Sequence, residues 1–226
     1  MSEKKRIPLA RAQTLAVEIV ELLAPACERI EIAGSIRREK PMVGDIEIVA
    51  DPRLRYETMP DMFGGEGVTA VYSELDERCD RLLAEGRLAY RLNAKGHRIG
   101  WGEHNKYALY HPQDGSAPVP LDLFAVYPPD EQWGVAMVIR TGPADFNPVL
   151  ISQRPNGALP WGWKVQVSDW TLRNTINQVV PTPDEADFFA AIGLPWIPPA
   201  ERSVGRLRAE VRRVDRRASV AGALKT

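Results

Sequence analysis

Two neighbouring segments of the chain combine residue types that suit the binding of a metal ion and a phosphate group. They read GSIRR at residues 34–38 and GDIEIV at residues 44–49. Successive side chains of a β-strand alternate between its faces, so Asp45 and Glu47 are predicted to point to the same side. Two like charges side by side on a strand are unfavourable unless a positive charge lies between them. A divalent cation is therefore the expected partner of this pair, and the first segment offers a hydroxyl, amides and arginines to an anion.

A third carboxylate strengthens the case for a metal site. Asp122 lies between Leu121 and Leu123 in a segment with the character of a strand, and a buried carboxylate without a partner is costly. Three acids on neighbouring strands would suit two Mg²⁺ ions about 4 Å apart. One ion would activate an attacking hydroxyl, and the other would bind a triphosphate and stabilise the pyrophosphate that leaves. The alternative for an Asp-x-Glu pair alone is the charged face of an exposed strand.

Composition narrows the class of protein. A chain of 226 residues is long enough for one large domain, or for a domain with a small partner. The net charge of −1 gives no global nucleic-acid signature, and the two cysteines lack the spacing of a disulfide framework or a zinc site. No segment has the pattern of a signal peptide or a membrane span. We therefore expect a soluble cytoplasmic protein in a reducing compartment, with no membrane partner; a monomer is the default, and the oligomeric state is otherwise open.

Hydrophobic periodicity and turn signals predict an α+β fold. Helices are expected at residues 9–24, 36–40 and 68–83 and after a capping box at 182–185, and strands at 28–33, 43–50, 88–92, 106–111, 119–127 and 132–141. Residues 51–67 read as a loop or an insertion, because proline and glycine are frequent there. The character of the chain changes near residue 150, so we expect one domain at 1–150 and a smaller one at 151–226.

The order of the motifs resembles that of the family X DNA polymerases, the polymerase beta group. The spacing from residues 34–38 to 44–49 is similar to the nucleotidyltransferase motif of that family. Downstream, residues 141–142 (Thr-Gly) and 146–147 (Phe-Asn) look like its segment beside the nucleotide, and residues 193–199 look like its thumb-closing motif. The resemblance implies a nucleotidyltransferase palm, with a mixed β-sheet backed by helices, followed by a small thumb-like α+β domain.

The resemblance, which spans residues 10–202, implies a role for each acid. Asp45 and Glu47 would bind both metals, and Asp122 would bind the catalytic metal and accept the proton of the primer hydroxyl, directly or through water. The implied cofactor is Mg²⁺, as two ions, with Mn²⁺ as a substitute. The implied reaction adds dNMP from a dNTP to the 3′-hydroxyl of a DNA primer-template and releases pyrophosphate, in gap filling or repair.

The same resemblance implies that one set of residues binds the nucleotide: Gly34, Ser35, Arg38, Gly44, Thr141, Gly142 and Asn147. Ser35 and Arg38 would hold the β- and γ-phosphates, close to the Gly44 amide. The first glycine of the set would let the backbone approach the phosphates. Gly142 would let the sugar pack closely, and the last residue of the set would contact the base edge.

The chain departs from the family pattern at several positions. Glu47 stands where these polymerases have aspartate, and the longer carboxylate is chemically acceptable as a ligand. Ile139 and Arg140 replace the aromatic pair that screens the sugar. They form a candidate segment for sugar selectivity, and the rejection of ribonucleotides is not implied. Pro120 replaces the arginine that precedes the third acid by two positions, so the tuning of the base is expected to differ.

The largest departure from the family pattern concerns the regions that bind DNA. Only one predicted helix precedes residue 34, so we expect no N-terminal lyase domain, little of the helix-hairpin-helix region and no 5′-deoxyribose phosphate lyase activity. The arginine-rich tail, with Arg206, Arg212 and Arg213, is a candidate to neutralise DNA phosphates; the alternative is a solvated C-terminal helix. Two other functions stay open: nucleotidyl transfer to an RNA, a protein or a small molecule, and a catalytically inactive nucleotide- or DNA-binding protein.

Overall fold

The computed structural model of the chain describes three stretches: residues 6–59, 68–127 and 132–223. For residues 59, 68 and 218–223 only the backbone is described. The chain divides into two compact units. The first unit comprises Met1–Ile32 and Gly44–Tyr127, and the second comprises Ala33–Val43 and Pro128–Thr226. The expected boundary of functional domains near residue 150 stays a prediction.

The described residues contain both helices and strands, and several strands follow one another without a helix between them. The helices are α1 (Leu9–Leu23), α2 (Gly34–Arg37), α3 (Glu74–Ala84), α4 (Trp133–Thr141), α5 (Phe146–Leu150), α6 (Glu185–Ala191) and α7 (Val204–Ala223), with short 3₁₀ turns at Ala24–Ala26 and Pro199–Glu201. The strands are β1 (Ile7–Pro8), β2 (Cys27–Ile32), β3 (Met42–Val43), β4 (Ile46–Pro52), β5 (Leu54–Met59), β6 (Val68–Ser73), β7 (Leu88–Tyr90), β8 (Asn105–Tyr110), β9 (Val119–Ala125), β10 (Lys164–Gln166), β11 (Thr171–Arg173) and β12 (Val179–Val180).

A mixed five-stranded sheet forms the centre of the first unit, in the order β2-β4-β9-β8-β7. Strands β4 and β9 run parallel, and the other neighbours run antiparallel. Helix α1 packs on β2 and β4, and α3 packs on β7. The predicted α+β class is confirmed, and the strands predicted at residues 106–111 and 119–127 are present as the antiparallel pair β8 and β9.

Helix α1 supplies the helical side of the core of the first unit. Its buried residues recur with the period of a helix and share one face: Ala12, Leu15, Ala16, Ile19 and Leu23. Pro25 lies in the 3₁₀ turn that follows and lacks the amide that would continue the helix. The chain then enters β2 directly, which brings the sheet against the apolar face of α1.

The second unit contains the other helices and a small antiparallel sheet in the order β10-β11-β12. Helix α4 packs closely against the chain that precedes α6. The Gly134 amide donates a hydrogen bond to the Thr182 carbonyl at 2.7 Å, and a Cβ at this glycine would lie 2.2 Å from the Asp184 carbonyl oxygen. Only glycine permits this approach. None of the helices in the described residues is both long enough and apolar enough to cross a membrane.

The prediction of a strand at residues 132–141 is wrong, because these residues form helix α4. The run from Trp133 to Val138 is buried throughout. A helix that is buried on all sides has a continuous apolar sequence, and a short buried strand has the same sequence. Periodicity therefore does not separate the two structures here.

Other boundaries also differ from the prediction. The predicted helix at residues 68–83 begins only at Glu74, where the Ser73 hydroxyl caps it by accepting a hydrogen bond from the Asp76 amide at 3.2 Å. Its first part is β6, which pairs with β5 from the predicted loop; residues 60–67 of that loop lie outside the described residues. The capping box of α6 is formed by Asp184 and Asp187, two residues later than the predicted box at residues 182–185.

Candidate functional site

Two of the three predicted metal-binding acids are direct neighbours in the sheet of the first unit. Glu47 in β4 and Asp122 in β9 are register partners across the parallel pairing. The residues that flank them on both strands, such as Ile46 and Leu121, are buried. Because side chains alternate along a strand, the two half-buried acids share the opposite face of the sheet. Adjacent parallel strands lie about 4.8 Å apart, so their carboxylates repel unless a cation lies nearby.

The third acid lies at the entrance of β4. Asp45 and Gly44 are half-buried and form a bend immediately before the strand begins at Ile46. The period of two that places Glu47 on the acidic face therefore does not fix the direction of the Asp45 side chain. Within the described residues no group of three or more His, Cys, Asp or Glu side chains is arranged to hold a metal ion.

A cation from the same unit already contacts Asp122. The Arg91 Nη1 atom lies 2.8 Å from the Asp122 Oδ1 atom, and the two side chains are only 23% and 16% exposed. The Arg91 guanidinium also lies over the Tyr107 ring, 4.8 Å from its centroid. Tyr107 is the register partner of Asp122 on β8. An arginine therefore lies beside the acidic face of the sheet, where it contacts both the Asp122 carboxylate and the Tyr107 ring.

The GSIRR segment of the second unit forms the short helix α2 (Gly34–Arg37), which begins two residues earlier and ends three residues earlier than the predicted helix at 36–40. Gly34 has a φ of 63°, a left-handed conformation that glycine adopts without strain. The adjacent Ser35 hydroxyl oxygen is buried and has no hydrogen-bond partner among the described residues. A buried hydroxyl without a partner carries a desolvation cost of about 1–3 kcal/mol, and a bound acceptor such as a phosphate oxygen would remove that cost.

Arg38 and the Thr141–Gly142 pair are brought together in the second unit. Arg38 Nη1 donates to the carbonyl oxygen of Thr141 and, at 3.2 Å, to that of Gly142. A Cβ at Gly142 would lie 2.3 Å from Asn147 Oδ1, so this glycine permits close packing against Asn147. Thr141, Gly142 and Asn147, which the resemblance assigns to the nucleotide, therefore lie together with Arg38.

Asn147 has one satisfied and one unsatisfied polar atom. Its Nδ2 atom donates to the Ile139 carbonyl oxygen at 2.7 Å. Its Oδ1 atom is buried and has no hydrogen-bond partner among the described residues. The second unit therefore presents two buried acceptor-capable oxygens without partners, on Ser35 and Asn147, and both belong to the predicted nucleotide-binding set.

Both residues of the candidate segment for sugar selectivity, Ile139 and Arg140, are held by contacts within the second unit. The Arg140 guanidinium lies over the buried Trp170 ring, 4.8 Å from its centroid. Such stacking is worth about 0.5–2 kcal/mol, more when the pair is desolvated. Arg140 is therefore held by an aromatic ring of its own unit, and Ile139 is anchored by the hydrogen bond from Asn147.

A buried ion cluster joins three elements of the second unit. Glu185, the first residue of α6, pairs with Arg37 of α2 at 2.7 Å and with Arg202 at 2.8 Å. The Arg202 side chain is fully buried and also donates from Nε to the Ile197 carbonyl at 3.1 Å. Burial by itself raises the pKa of Glu185, but the hydrogen bonds and charges of Arg37 and Arg202 outweigh it and hold this pKa below its ordinary value. The cluster is therefore ionised near neutral pH.

The candidate DNA-binding arginines of α7 separate into two groups. Arg206 and Arg213 pair with the buried carboxylate of Glu210, at 3.2 and 2.7 Å. Arg212 is exposed, and Arg208 and Arg216 are exposed one helical turn to either side of it. Among the described residues these three form no ion pair with a carboxylate. Of the predicted set, only Arg212 therefore has no carboxylate partner among the described residues.

Three side chains of these sites carry no signal in the sequence. Arg91 and Tyr107 lie in ordinary alternating strand segments, and only the pairing of β8 with β9 brings them to Asp122. Glu185 looked like part of a helix cap, and its ion pairs depend on tertiary contacts. Pro120 predicted only that the tuning of the base would differ, and it did not indicate which residue would contact Asp122.

Two comparisons with known proteins find similarity to DNA polymerases. A family model described as DNA polymerase beta thumb matches residues 136–203, which lie in the second unit. The DNA polymerase lambda of Rattus norvegicus is 29% identical over 189 residues, which cover 80% of this chain. The match spans 29% of the length of that relative.

Proposed function

We propose that this chain, which is a family X polymerase-like protein with a polymerase beta thumb domain, transfers dNMP from a dNTP to a DNA 3′-hydroxyl. The observation that carries the proposal is the register pair of Glu47 and Asp122 on the polar face of a mixed sheet. A pair of acids on adjacent strands, with a third acid two residues upstream, is a donor set that suits Mg²⁺, a cation that prefers oxygen ligands. The thumb match and the polymerase relative favour DNA as the acceptor.

Asp45, Glu47 and Asp122 would hold the metal, which when bound would supply electrostatic stabilisation of the charge that develops on the phosphoryl oxygens. Asp122 would accept the proton of the attacking hydroxyl, directly or through water. The bond from the hydroxyl oxygen to the α-phosphorus forms while the bond from that phosphorus to the bridging oxygen breaks, so pyrophosphate leaves. The three carboxylates are not gathered around a single point in the described residues, so metal binding would require their side chains to reorient.

The nucleotide would be held by residues of the second unit. The Ser35 hydroxyl, which has no partner among the described residues, would donate to a phosphate oxygen. Arg38 would tie the Thr141–Gly142 segment in place through its two carbonyl contacts, in addition to the phosphate contact that the resemblance implies. Asn147 would offer its unpaired Oδ1 atom to a donor on the base edge.

The direct test is extension of a primer in a gapped DNA duplex with Mg²⁺ and each dNTP. We expect the wild-type chain to add nucleotides, and Asp45→Asn and Asp122→Asn to lose on the order of a thousandfold in rate, because several kcal/mol of charge stabilisation are removed. Asp80→Asn, at an exposed position of α3, is the matched control and should leave the rate unchanged. Activity that survives in both acid variants would exclude the assigned mechanism.

A second candidate keeps the reaction and changes the substrate to a ribonucleotide or an RNA acceptor. The observation that favours it is the Ile139–Arg140 segment, in which Arg140 is stacked on Trp170 and no aromatic pair is present. Offering rNTPs and RNA primers in the same assay separates the two candidates. Faster extension with either than with dNTPs on DNA would favour this second function, and metal binding without turnover on any acceptor would indicate a catalytically inactive nucleotide-binding protein.

A further inference from the structure

Arg91 contacts a carboxylate to which the proposed function assigns a metal ion. Its guanidinium contacts the Asp122 carboxylate at 2.8 Å, and Asp122 is the acid to which the proposed function assigns both a metal and the hydroxyl proton. Both side chains are largely shielded from water, so their attraction is less screened than that of a surface pair. The cation beside Asp122 in this chain is thus supplied by the protein itself.

The position of Arg91 is fixed from several directions. Its amide donates to the Tyr107 carbonyl oxygen at 3.3 Å, and its carbonyl oxygen accepts from the Ile99 amide at 3.0 Å. Its guanidinium lies over the Tyr107 ring. The backbone of Arg91 is thus hydrogen-bonded to β8 directly after the end of β7. Because both its backbone and its guanidinium are held, the ion pair with Asp122 differs from that of an unrestrained surface side chain.

The charges on this face explain why a resident cation is useful. Glu47 and Asp122 are neighbours across the β4–β9 pairing, and two carboxylates at this separation repel each other. Arg91 offsets that repulsion from the β8 side of Asp122, where Tyr107 is the neighbour. The position two residues before Asp122 on the same strand is Pro120, which carries no charge.

We propose that Arg91 is a positioning residue that holds Asp122 until a divalent cation binds, and that it weakens metal binding by competing for the same carboxylate. The proposal rests on the proposed function, because it takes Asp122 to be a metal ligand. Removing the guanidinium charge should therefore tighten divalent-cation binding by about tenfold, the size expected of one partly shielded charge a few ångströms away. A merely structural arginine would instead leave the affinity unchanged or lower it.

The test measures Mn²⁺ binding to the full chain without nucleotide, by electron paramagnetic resonance of the free ion and by calorimetry. Arg91→Gln should bind Mn²⁺ about tenfold more tightly than the wild type, whereas Arg91→Lys, which keeps the charge, should stay within about twofold. Arg98→Gln is the matched control. Arg98 stacks on the Tyr90 ring at 4.6 Å in the same region, and it should have no effect on the affinity. Unchanged or weaker binding by Arg91→Gln would overturn the proposal.

A second variant covers the case in which Arg91→Gln does not fold, as judged by circular dichroism. Tyr107→Leu removes the ring that holds the guanidinium but keeps every charge. It should tighten Mn²⁺ binding by a smaller factor than loss of the arginine, and weaker or unchanged binding would contradict the proposal. If the wild type extends primers while no Arg91 or Tyr107 variant alters the metal affinity, only the competition fails. If no variant binds Mn²⁺ and no primer is extended, the proposed function fails with it.

Discussion

At the scale of single residues, the ion cluster around Glu185 decides how firmly the second unit holds its α2 segment. Arg202 is fully buried, and its charge is balanced by the Glu185 carboxylate, which also pairs with Arg37. Because Arg37 also donates to the Thr141 hydroxyl at 3.1 Å, the cluster connects the GSIRR segment to the residues at the end of α4. Loss of one charge would leave another buried charge without a partner.

We predict that Glu185→Gln lowers the free energy of unfolding by about 3 kcal/mol at neutral pH, because breaking a buried pair costs more than an exposed one. The folded-state pKa of Glu185 is lowered, so its stabilisation is present above the unfolded-state pKa and is lost as the pH falls through the folded-state pKa. Urea unfolding at neutral and acidic pH should thus show a difference between variant and wild type that shrinks in acid. Glu201→Gln, whose side chain is 57% exposed and contacts Arg206 only at 4.0 Å, is the control and should cost almost nothing. A difference that grows in acid would contradict the assignment.

At the scale of elements, α7 carries two groups of arginines that the sequence does not distinguish. Glu210 pairs with Arg206 and Arg213. Arg208, Arg212 and Arg216 follow each other on the exposed side at intervals of four residues. Four residues of helix rise about 6 Å, so the three charges form a stripe along the helix. A stripe of this kind suits the regularly spaced phosphates of a nucleic-acid strand.

We predict that replacing the three exposed arginines together by glutamine weakens binding to duplex DNA and lowers the salt dependence of that binding. Each lost phosphate contact should reduce the slope of log affinity against log salt by about 0.9. The comparison variant replaces Arg206 and Arg213, which share the Glu210 carboxylate, and should change the slope by less. Fluorescence anisotropy over a series of salt concentrations measures both. Equal slopes for the two variants would exclude the stripe as a DNA contact.

Elements with a clear hydrophobic period were predictable from the sequence. Elements and contacts that depend on tertiary packing were not. The alternation in β4 and β9 indicated that Glu47 and Asp122 would lie on a polar face, because one side of the sheet is core. Helix α4 was taken for a strand because it is buried on all sides and therefore has no polar face. Arg91 could not be found, because its contact with Asp122 depends on which strands become neighbours.

At the scale of the whole molecule, the two cysteines behave as parts of the core. Burial is the main cause that raises the pKa of both thiols to about 12; the charge of Asp51 adds to this for Cys27, and that of Lys106 opposes it for Cys79. Both cysteines are free and buried. A thiol reacts as the thiolate, so neither should be reactive in the folded chain.

We predict that neither thiol reacts with Ellman's reagent at mildly alkaline pH while the chain is folded. Both should react at once in guanidinium chloride, which exposes them and restores their ordinary pKa, and that sample is the control. At intermediate concentrations of guanidinium chloride, the rate of thiol labelling should follow the rate at which the structure opens. Rapid labelling of a folded chain, located by mass spectrometry to Cys27 or Cys79, would show that the surrounding core opens far more readily than its burial indicates.

The parallel pairing of β4 with β9 also governs when the acidic pair can arise as the chain folds. Positions 47 and 122 are joined by a long intervening segment that includes β5, β6, α3, β7 and β8. Bringing such distant strands together requires closure of a long loop, which slows folding relative to local pairing. We therefore expect local helices and hairpins to form before the two carboxylates become neighbours. The chemistry proposed for this protein would thus depend on the slow closure of that long loop, and not on any local turn or hairpin.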